Sequence, residues 1–224
     1  MLQLVIANKL YSSWSLRPWM AMRAFDIPFE ETVIALKRSD TNERIAKVSP
    51  SGKVPVLIDG DVQVWESLAI IEYLAEMFPG KAIWPKDAKA RAHARANSNE
   101  MHGGGQALRQ ACSMNLAKRF MTPPLTDDLN ANIARVEQIW RETCSSFGQG
   151  GPYLYGAFTA ADAMFAPVVT RFDTYQIPVA AETRAYMDAI LRHPAFLLWK
   201  ADAFKEPWRI SEYEAGHTAV ETLR

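Results

Sequence analysis

The chain has 224 residues, of which 49% are hydrophobic and 22% are charged, a composition typical of a folded protein with one large core or two modest ones. Its 25 Lys and Arg residues balance 25 Asp and Glu residues, which argues against nucleic acid or an anionic membrane surface as a partner. The two cysteines, Cys112 and Cys144, are too few for a disulfide framework or a zinc site, so we expect no metal.

The cellular setting is predicted from what the chain lacks. The first residues, Met1–Ala7, carry no basic leader and are too short for a signal sequence. No apolar run reaches the roughly 18 residues of a membrane-spanning helix. We therefore expect a soluble, cytoplasmic protein with no membrane partner.

The first third of the chain alternates strand and helix patterns. Leu2–Ala7 predicts a buried strand, a helix with apolar periodicity follows to about residue 26, and Glu31–Leu36 predicts a second strand. Strand, helix and strand over this length form a βαβ unit with a parallel pair. Asp40 and Glu43 then predict a short capped helix.

A β-hairpin is the strongest local signal in the sequence. The runs 54–58 and 62–65, rich in β-branched residues, flank Asp59-Gly60-Asp61, which is typical of a hairpin turn. Apolar residues then recur at three- and four-residue intervals up to Phe78, which predicts a helix with one buried face. The predicted order is β-α-β-α-β-β-α.

The remaining chain predicts only helices. Prolines and a glycine mark residues 80–86 as a linker between a domain over 1–79 and an all-helical domain over 87–224, which we expect to line a second-substrate pocket. One long helix is predicted over 87–108, although Gly103-Gly104-Gly105 would kink it or allow close approach of another backbone. Later helices are predicted over 129–147, from Thr159, over 180–191 and over 194–204.

Two positions around the hairpin suggest a ligand site. Pro55 opens a strand, and if the Val54-Pro55 bond is cis, the backbone N–H and C=O of Val54 are left free for an extended ligand. Glu66 and Ser67 lie where a strand turns into a helix, whose free N–H groups attract an anion. A small peptide with both an α-carboxylate and an α-amino group fits this pattern.

These residues resemble the glutathione-binding half of the glutathione transferases, which has a cis-proline after a hydrophobic residue and a Glu/Gln-Ser pair at a helix start. The resemblance implies a thioredoxin-like domain, glutathione as co-substrate and a homodimer. The stretch from Gly156 to Asp162 is similar to a structural box in the family's helical domain, with Thr159 as a helix cap.

The loop after the first strand carries Ser12, Ser13 and Ser15. A strand-to-helix loop needs one hydroxyl cap, which Ser13 or Ser15 would supply, but one cap does not require three hydroxyls. The segment resembles the Ser-Ser-Cys-Ser-x-Arg signature of the zeta class, with Trp14 in place of the cysteine and Arg17 at the arginine. By that match, Ser12 is the catalytic serine that holds a thiolate, and Tyr11 is the alternative donor.

The resemblance therefore implies a glutathione S-transferase that conjugates glutathione to a small electrophile. The expected binding residues are Ser12, Ser13, Trp14, Lys53, Val54, Pro55, Glu66 and Ser67. Lys53 would pair with the glycine carboxylate or be an ordinary surface lysine. His102, Gln106 and Arg109 lie one helical turn apart and would face the second pocket or be solvated.

Two other functions stay open. One is a glutathione-dependent cis-trans isomerase, although Trp14 and the lack of an assignable distal arginine speak against the zeta-class reaction. The other is a non-catalytic protein that binds glutathione or apolar ligands. Mixed-disulfide chemistry has no nucleophile in this loop, because no cysteine lies between Tyr11 and Trp19.

Overall fold

A four-stranded sheet forms the N-terminal part of this computed structural model, which describes residues 1–214 and 216–224. Its strands are β1 (Gln3–Ile6), β2 (Glu30–Val33), β3 (Val56–Asp59) and β4 (Val62–Trp65), in the order β2-β1-β3-β4. The β1–β2 pair is parallel and the other two pairs are antiparallel. With α1 (Ser13–Ala24), α2 (Thr41–Ala46) and α3 (Ser67–Met77) between and after these strands, the predicted thioredoxin-like order is confirmed.

The rest of the described chain is mostly helical. It contains α4 (Ala88–Gly103), α5 (Gln106–Ala111), α6 (Asp127–Phe147), α7 (Ala160–Thr174), α8 (Ala181–Leu191), α9 (Pro194–Lys205) and a 3₁₀ turn (Ser211–Tyr213). Among the helices so described, none is long and apolar enough to cross a lipid bilayer.

The second half is mostly helical, as predicted, but the expectation that it contains no strand is wrong. Two short strands, β5 (Lys118–Phe120) and β6 (Ala219–Thr222), pair antiparallel with an irregularity in register at Arg119 and Phe120. A three-residue strand such as β5 is too short to show a periodic pattern. Its partner comes from the far end of the chain, so neither strand could be found from local sequence.

The predicted single helix over 87–108 is also wrong, because the glycine run ends it. Gly105 has a φ of +71°, in the left-handed region where glycine is favoured, and α5 starts at the next residue. A Cβ atom at Gly104 would lie 2.8 Å from the carbonyl oxygen of Glu100. The glycines therefore allow α4 to end there and the chain to turn tightly against the last backbone carbonyls of that helix.

Helix α1 is buried along most of its length, from Ser15 to Met22. It packs against α3, α7 and α9. Its apolar side chains share one core with those of β1, represented by Leu4 and Ile6, and with those of α7. A helix in contact with neighbours on several sides has a fixed axis, so the loop at its N-terminus is held in place.

The capping box at the start of α7 is confirmed as a structural element. The N–H of Thr159 donates to Asp162 at 2.8 Å, and the N–H of Leu154 donates to the same carboxyl at 3.1 Å. The Tyr186 hydroxyl is a further donor, at 3.2 Å. Burial raises the pKa of Asp162 to about 6, against the lowering effect of these hydrogen bonds.

We predict that Asp162→Ala lowers the free energy of unfolding by about 3 kcal/mol, because it leaves several buried donors without an acceptor. Thermal or urea unfolding followed by circular dichroism measures this loss. Asp128→Ala is the matched control: this aspartate lies exposed in the first turn of α6, and its removal should cost less than about 0.5 kcal/mol. Equal effects of the two changes would contradict the structural role of Asp162.

Candidate functional site

A cavity of about 960 Å³ lies where the sheet domain meets the helical region. Most of the residues predicted from the sequence line it together: Ser12, Ser13, Trp14, Lys53, Val54, Pro55 and Glu66. They come from the β1–α1 loop, the segment before β3 and the start of α3. Residues that are distant in the chain therefore meet around one opening.

Ser12 is the N-cap of α1. Its Oγ accepts the N–H of Ser15 at 3.3 Å and lies 2.7 Å from the Ser15 Oγ, which itself accepts the N–H of Ala7 at 3.1 Å. The sequence analysis expected Ser13 or Ser15 to be the cap. The cap is Ser12 instead, because the helix begins one residue after it. The Ser12 hydroxyl lies at the positive end of the α1 dipole, which favours an anion nearby.

Ser13 is held by a residue that the sequence analysis did not select. Arg171, in the last turn of α7, donates from Nη2 to the Ser13 Oγ at 3.1 Å. The other end of the same guanidinium donates to the carbonyl of Cys112. Both Ser13 and Arg171 are buried at the cavity wall, with exposed fractions of 5% and 6%.

Trp14 takes the position of the zeta-class cysteine and lies among basic side chains. The Arg17 guanidinium is 4.2 Å from its ring centroid, and that of Arg109 is 5.1 Å away. The imidazole of His102 meets the indole edge-on at 5.0 Å. These cation–π contacts stabilise charge that would otherwise be costly to bury, and they fix the ring at the cavity wall.

Ser67 is the predicted site residue that does not line the cavity. Its side chain is fully buried, and its Oγ accepts from Arg17 Nη1 at 3.2 Å. Arg17 in turn contacts the sulfur of Met101 at 3.4 Å, while its Nε has no partner. The Ser67 hydroxyl therefore faces the protein interior and links α1 to α3.

Glu66 precedes α3 with a φ of +68°, an uncommon backbone conformation for a residue with a side chain. Such a conformation costs of order 1 to 3 kcal/mol and is found most often at functional sites. The Glu66 carboxylate lies at the cavity wall, 3.7 Å from His102 Nε2. Burial, then the charge of Arg17, lower the pKa of His102, so the imidazole is neutral near pH 7.

The segment before β3 lines another side of the cavity. The Val54-Pro55 peptide bond is cis, and β3 begins only at Val56. Val54 is half-buried, and its backbone takes part in none of the hydrogen bonds among the described residues outside the regular strands and helices. Lys53 is exposed, and its N–H donates to the Ser49 Oγ at 3.3 Å, which holds the loop in place.

Basic side chains dominate the cavity wall. They are Lys37, Arg38, Lys53, Arg109 and Arg171, whereas Glu66 is the single carboxylate among the lining residues in the part of the chain that the structure describes. Burial, and then the charge of Arg109, lower the pKa of Arg171 to about 10, so it remains protonated near pH 7. A partly enclosed site with this excess of positive charge favours an anionic ligand.

Not all of the residues that the sequence suggested for the second-substrate pocket line the cavity. His102 and Arg109 line the cavity and Gln106 does not. Tyr11 lines it too, but its hydroxyl accepts the N–H of Ile210 at 3.4 Å, and burial raises the pKa of the phenol. Because the Tyr11 hydroxyl only accepts in this bond, its proton is free, and Tyr11 remains the alternative donor.

Several lining residues were missed by the sequence analysis, among them Ser113, Met114, Arg171 and Tyr213. For Arg171 a signal was present, since it is a lone arginine within the apolar run of α7 from Phe165 to Phe172. A charged residue within such an apolar run indicates either a buried hydrogen-bond partner or a functional site. The others carry no local signal, because they are brought to the cavity by the chain turning after α5 and α9.

Neither cysteine lines the cavity. Cys112 is fully buried, and burial raises its pKa to about 12, which makes the thiol unreactive. Across residues 1–214 and 216–224, no group of three or more His, Cys, Asp and Glu side chains is arranged to hold a metal ion.

Comparisons with known proteins agree with this geometry. The model of the glutathione S-transferase N-terminal domain matches residues 11–77. A probable maleylacetoacetate isomerase from Caenorhabditis elegans is 38% identical over 104 residues, which cover 44% of this chain and 48% of that protein. Human glutathione S-transferase theta-1 is 34% identical over 160 residues, which cover 66% of this chain and 65% of that protein. The chain thus spans less than two thirds of either relative.

The fold agrees over a longer stretch. A glutathione transferase homolog from Burkholderia, solved with bound glutathione, superposes with a TM-score of 0.72 at 20% identity and covers 92% of this chain and 99% of that one. A diazinon-metabolizing glutathione S-transferase from the silkworm Bombyx mori gives a TM-score of 0.70 at 18% identity, with 92% of this chain and 98% of that one covered. Residues 11–77 therefore match a glutathione S-transferase N-terminal domain, and the described chain has the fold of these two solved transferases.

Proposed function

We propose that this protein is a glutathione S-transferase, which binds glutathione in the large cavity and conjugates its thiolate to a small electrophile. The observation that carries the proposal is the meeting of three features at one cavity: the Ser12 loop, the segment at Val54 and Pro55, and Glu66 at the start of α3. Each feature matches a different chemical group of the tripeptide.

The ends of glutathione fit the charges around the cavity. The ammonium of the γ-glutamyl group pairs with Glu66, and its carboxylate accepts from the free N–H groups at the start of α3. Val54 offers its free backbone groups to the cysteinyl residue of the tripeptide. Lys53 pairs with the glycine carboxylate. Ser13 and Trp14 complete the wall next to the sulfur.

Ser12 is the proposed catalytic residue because its hydroxyl can donate to the sulfur. A free thiol has a pKa near 8.5, and lowering it by about two pH units requires a preference for the anion of about 2.7 kcal/mol. A hydroxyl bonded to a charged group contributes about 1.5 to 3 kcal/mol, and a helix N-terminus adds about 0.3 to 1. Ser12 as the cap of α1 supplies both.

The Ser12 hydroxyl donates to the Ser15 Oγ at 2.7 Å. Its proton becomes available to the sulfur when the Ser12 O–H rotates from Ser15 towards the thiolate. In that orientation Ser15, which accepts the N–H of Ala7, can donate to the Ser12 Oγ, and a chain of hydrogen bonds then leads to the thiolate. Successive bonds of this kind polarise one another and strengthen the last one.

The conjugation step requires no group beyond the two substrates. The thiol proton leaves to solvent, and the sulfur lone pair forms the new bond to the electrophilic carbon while the leaving group departs with its bonding pair. Arg109, Ser113, Met114 and Tyr213 line the part of the cavity that we assign to the electrophile. The reaction is accelerated mainly because both reactants are held in position.

The domain division is part of the same proposal. We assign residues 1–79 to the glutathione-binding domain, 80–86 to a linker and 87–224 to the mostly helical domain that lines the electrophile pocket. In support, α3 ends at Met77 and α4 begins at Ala88, with no regular element between them.

A homodimer is also proposed. Val62, Trp65 and Met77 expose 46%, 42% and 49% of their surface on β4 and α3, and apolar side chains of this size are usually covered by a partner.

A cytoplasmic location is proposed from the presence of two free cysteines, which persist in a reducing compartment.

Ser12→Ala should lower kcat/KM for conjugation of an aryl halide by roughly 10- to 100-fold, because it removes the hydroxyl that stabilises the thiolate. Spectrophotometric assay of the conjugate measures this. Ser12→Thr, which keeps the hydroxyl and the cap, is the control and should retain most of the activity. Ser12→Ala with wild-type turnover would remove Ser12 from the mechanism.

Glu66→Gln should weaken glutathione binding about five- to tenfold, since it removes the partner of the ammonium group at a partly exposed site. Isothermal calorimetry gives the Kd. Glu72→Gln is the matched control: this glutamate lies further along α3, pairs with Arg95 at 2.8 Å and does not line the cavity. A Kd that changes equally in both variants would contradict the assigned role of Glu66.

Product analysis separates conjugation from the isomerase and ligand-binding alternatives. We expect stoichiometric loss of free glutathione with an aryl halide, measured by thiol titration and mass spectrometry of the adduct. Full recovery of glutathione together with a cis-to-trans product would indicate isomerisation. Retention on immobilised glutathione without turnover of a broad electrophile panel would indicate a binding protein.

A further inference from the structure

The contact between α7 and the serine loop has a chemical consequence for the bound sulfur, and the inference rests on the proposed glutathione chemistry. Arg171 crosses from α7 to Ser13 at 3.1 Å, inside the wall of the same cavity. The two residues are far apart in the sequence, and both side chains are buried. A buried guanidinium aimed at a cavity hydroxyl changes what that hydroxyl can do.

The two cavity serines differ in how their protons are used. An arginine can only donate, so the Ser13 Oγ is the acceptor in its bond with Arg171 and the Ser13 proton remains free for another acceptor. The Ser12 O–H already donates to the Ser15 Oγ at 2.7 Å, so its proton is free only after this hydroxyl rotates. Ser13 is therefore the hydroxyl that can donate into the cavity without rearrangement.

Arg171 also makes Ser13 a stronger donor. Its pKa of about 10 leaves it charged near neutral pH, and its second contact, to the Cys112 carbonyl, fixes the direction of the guanidinium. A hydroxyl that accepts a bond from a cation is polarised and donates more strongly. The other ionisable groups near this point are Arg17, Arg109, His102 and Glu66, none of which is hydrogen-bonded to Ser13 among the contacts that the described residues make.

We propose that Ser13 is a second catalytic donor to the glutathione thiolate and that Arg171 is the positioning residue that orients and polarises it. The sulfur loses its proton to solvent and accepts the O–H bonds of Ser12 and Ser13. No covalent bond forms or breaks at either serine. The α7 arginine thereby links the helical region to the acidity of the bound thiol.

The test is the pKa of the bound thiol, followed by ultraviolet absorbance of the thiolate while the glutathione complex of the full chain is titrated. Ser13→Ala should raise this pKa by about one pH unit, the scale of one hydrogen bond to an anion. Arg171→Met should raise it by a similar amount. The double variant should resemble Ser13→Ala alone, because Arg171 acts through Ser13.

Arg109→Met is the matched control, since it removes another guanidinium from the cavity wall that makes no contact with Ser13. Its effect on the thiol pKa should add to that of Ser13→Ala. Arg171→Lys, which restores a cationic donor, should recover part of the shift. Additive effects of Arg171→Met and Ser13→Ala would overturn the positioning role.

An unchanged thiol pKa in Ser13→Ala would overturn the second donor while leaving the proposed transferase function intact. If wild-type protein binds no glutathione, the proposed function itself fails, so the two failures are distinguishable.

Arg171 also donates to the Cys112 carbonyl, so a thermal melt of each variant checks that it is folded. Should Arg171→Met not fold, the Ser13→Ala titration alone decides whether Ser13 donates to the sulfur.

Discussion

The burial of α1 is the constraint on which the rest of the site depends. The helix is enclosed by α3, α7 and α9, and from Ser15 to Met22 its side chains lie in the core. A helix packed in this way cannot shift without opening cavities, each of which costs several kcal/mol for a large apolar side chain. Its N-terminus, with Ser12 as the cap, is therefore held rigidly at the edge of the cavity, where an anion gains from both the hydroxyl and the helix dipole.

Charge is the second theme of the structure. Arg17, Arg109 and Arg171 surround Trp14 and Ser13 in or near the interior, where unpaired charge is costly. They are stabilised by backbone carbonyls at the ends of α4 and α5, by the Trp14 ring and by hydroxyls of the serine loop and α3. The three guanidinium groups create a positive electrostatic potential around the place where the proposed mechanism forms a thiolate. A preorganised field of this kind stabilises an anion without reorganisation at the moment of reaction.

The departure from the zeta-class signature is informative in this setting. Trp14 stands where that class has a cysteine, and its indole is packed between two guanidinium groups rather than offering a thiol to the site. Burial raises the pKa of Cys112 to about 12, and this cysteine does not line the cavity. The loop thus relies on hydroxyl donors and nearby cations, which is consistent with a thiolate supplied by the substrate.

The sequence by itself determined the elements that are stabilised by residues close together in the chain. The hairpin at Asp59-Gly60-Asp61, the helix start at Glu66 and the Thr159–Asp162 capping box depend on turn chemistry and short-range hydrogen bonds, and all three could be predicted from the residues alone. Tertiary structure decided what depends on distant partners. The β5–β6 pair, the bond from Arg171 to Ser13 and the inward turn of Ser67 toward Arg17 join residues far apart in the chain. No local pattern encodes such contacts, because the partners are adjacent only in the packed tertiary structure.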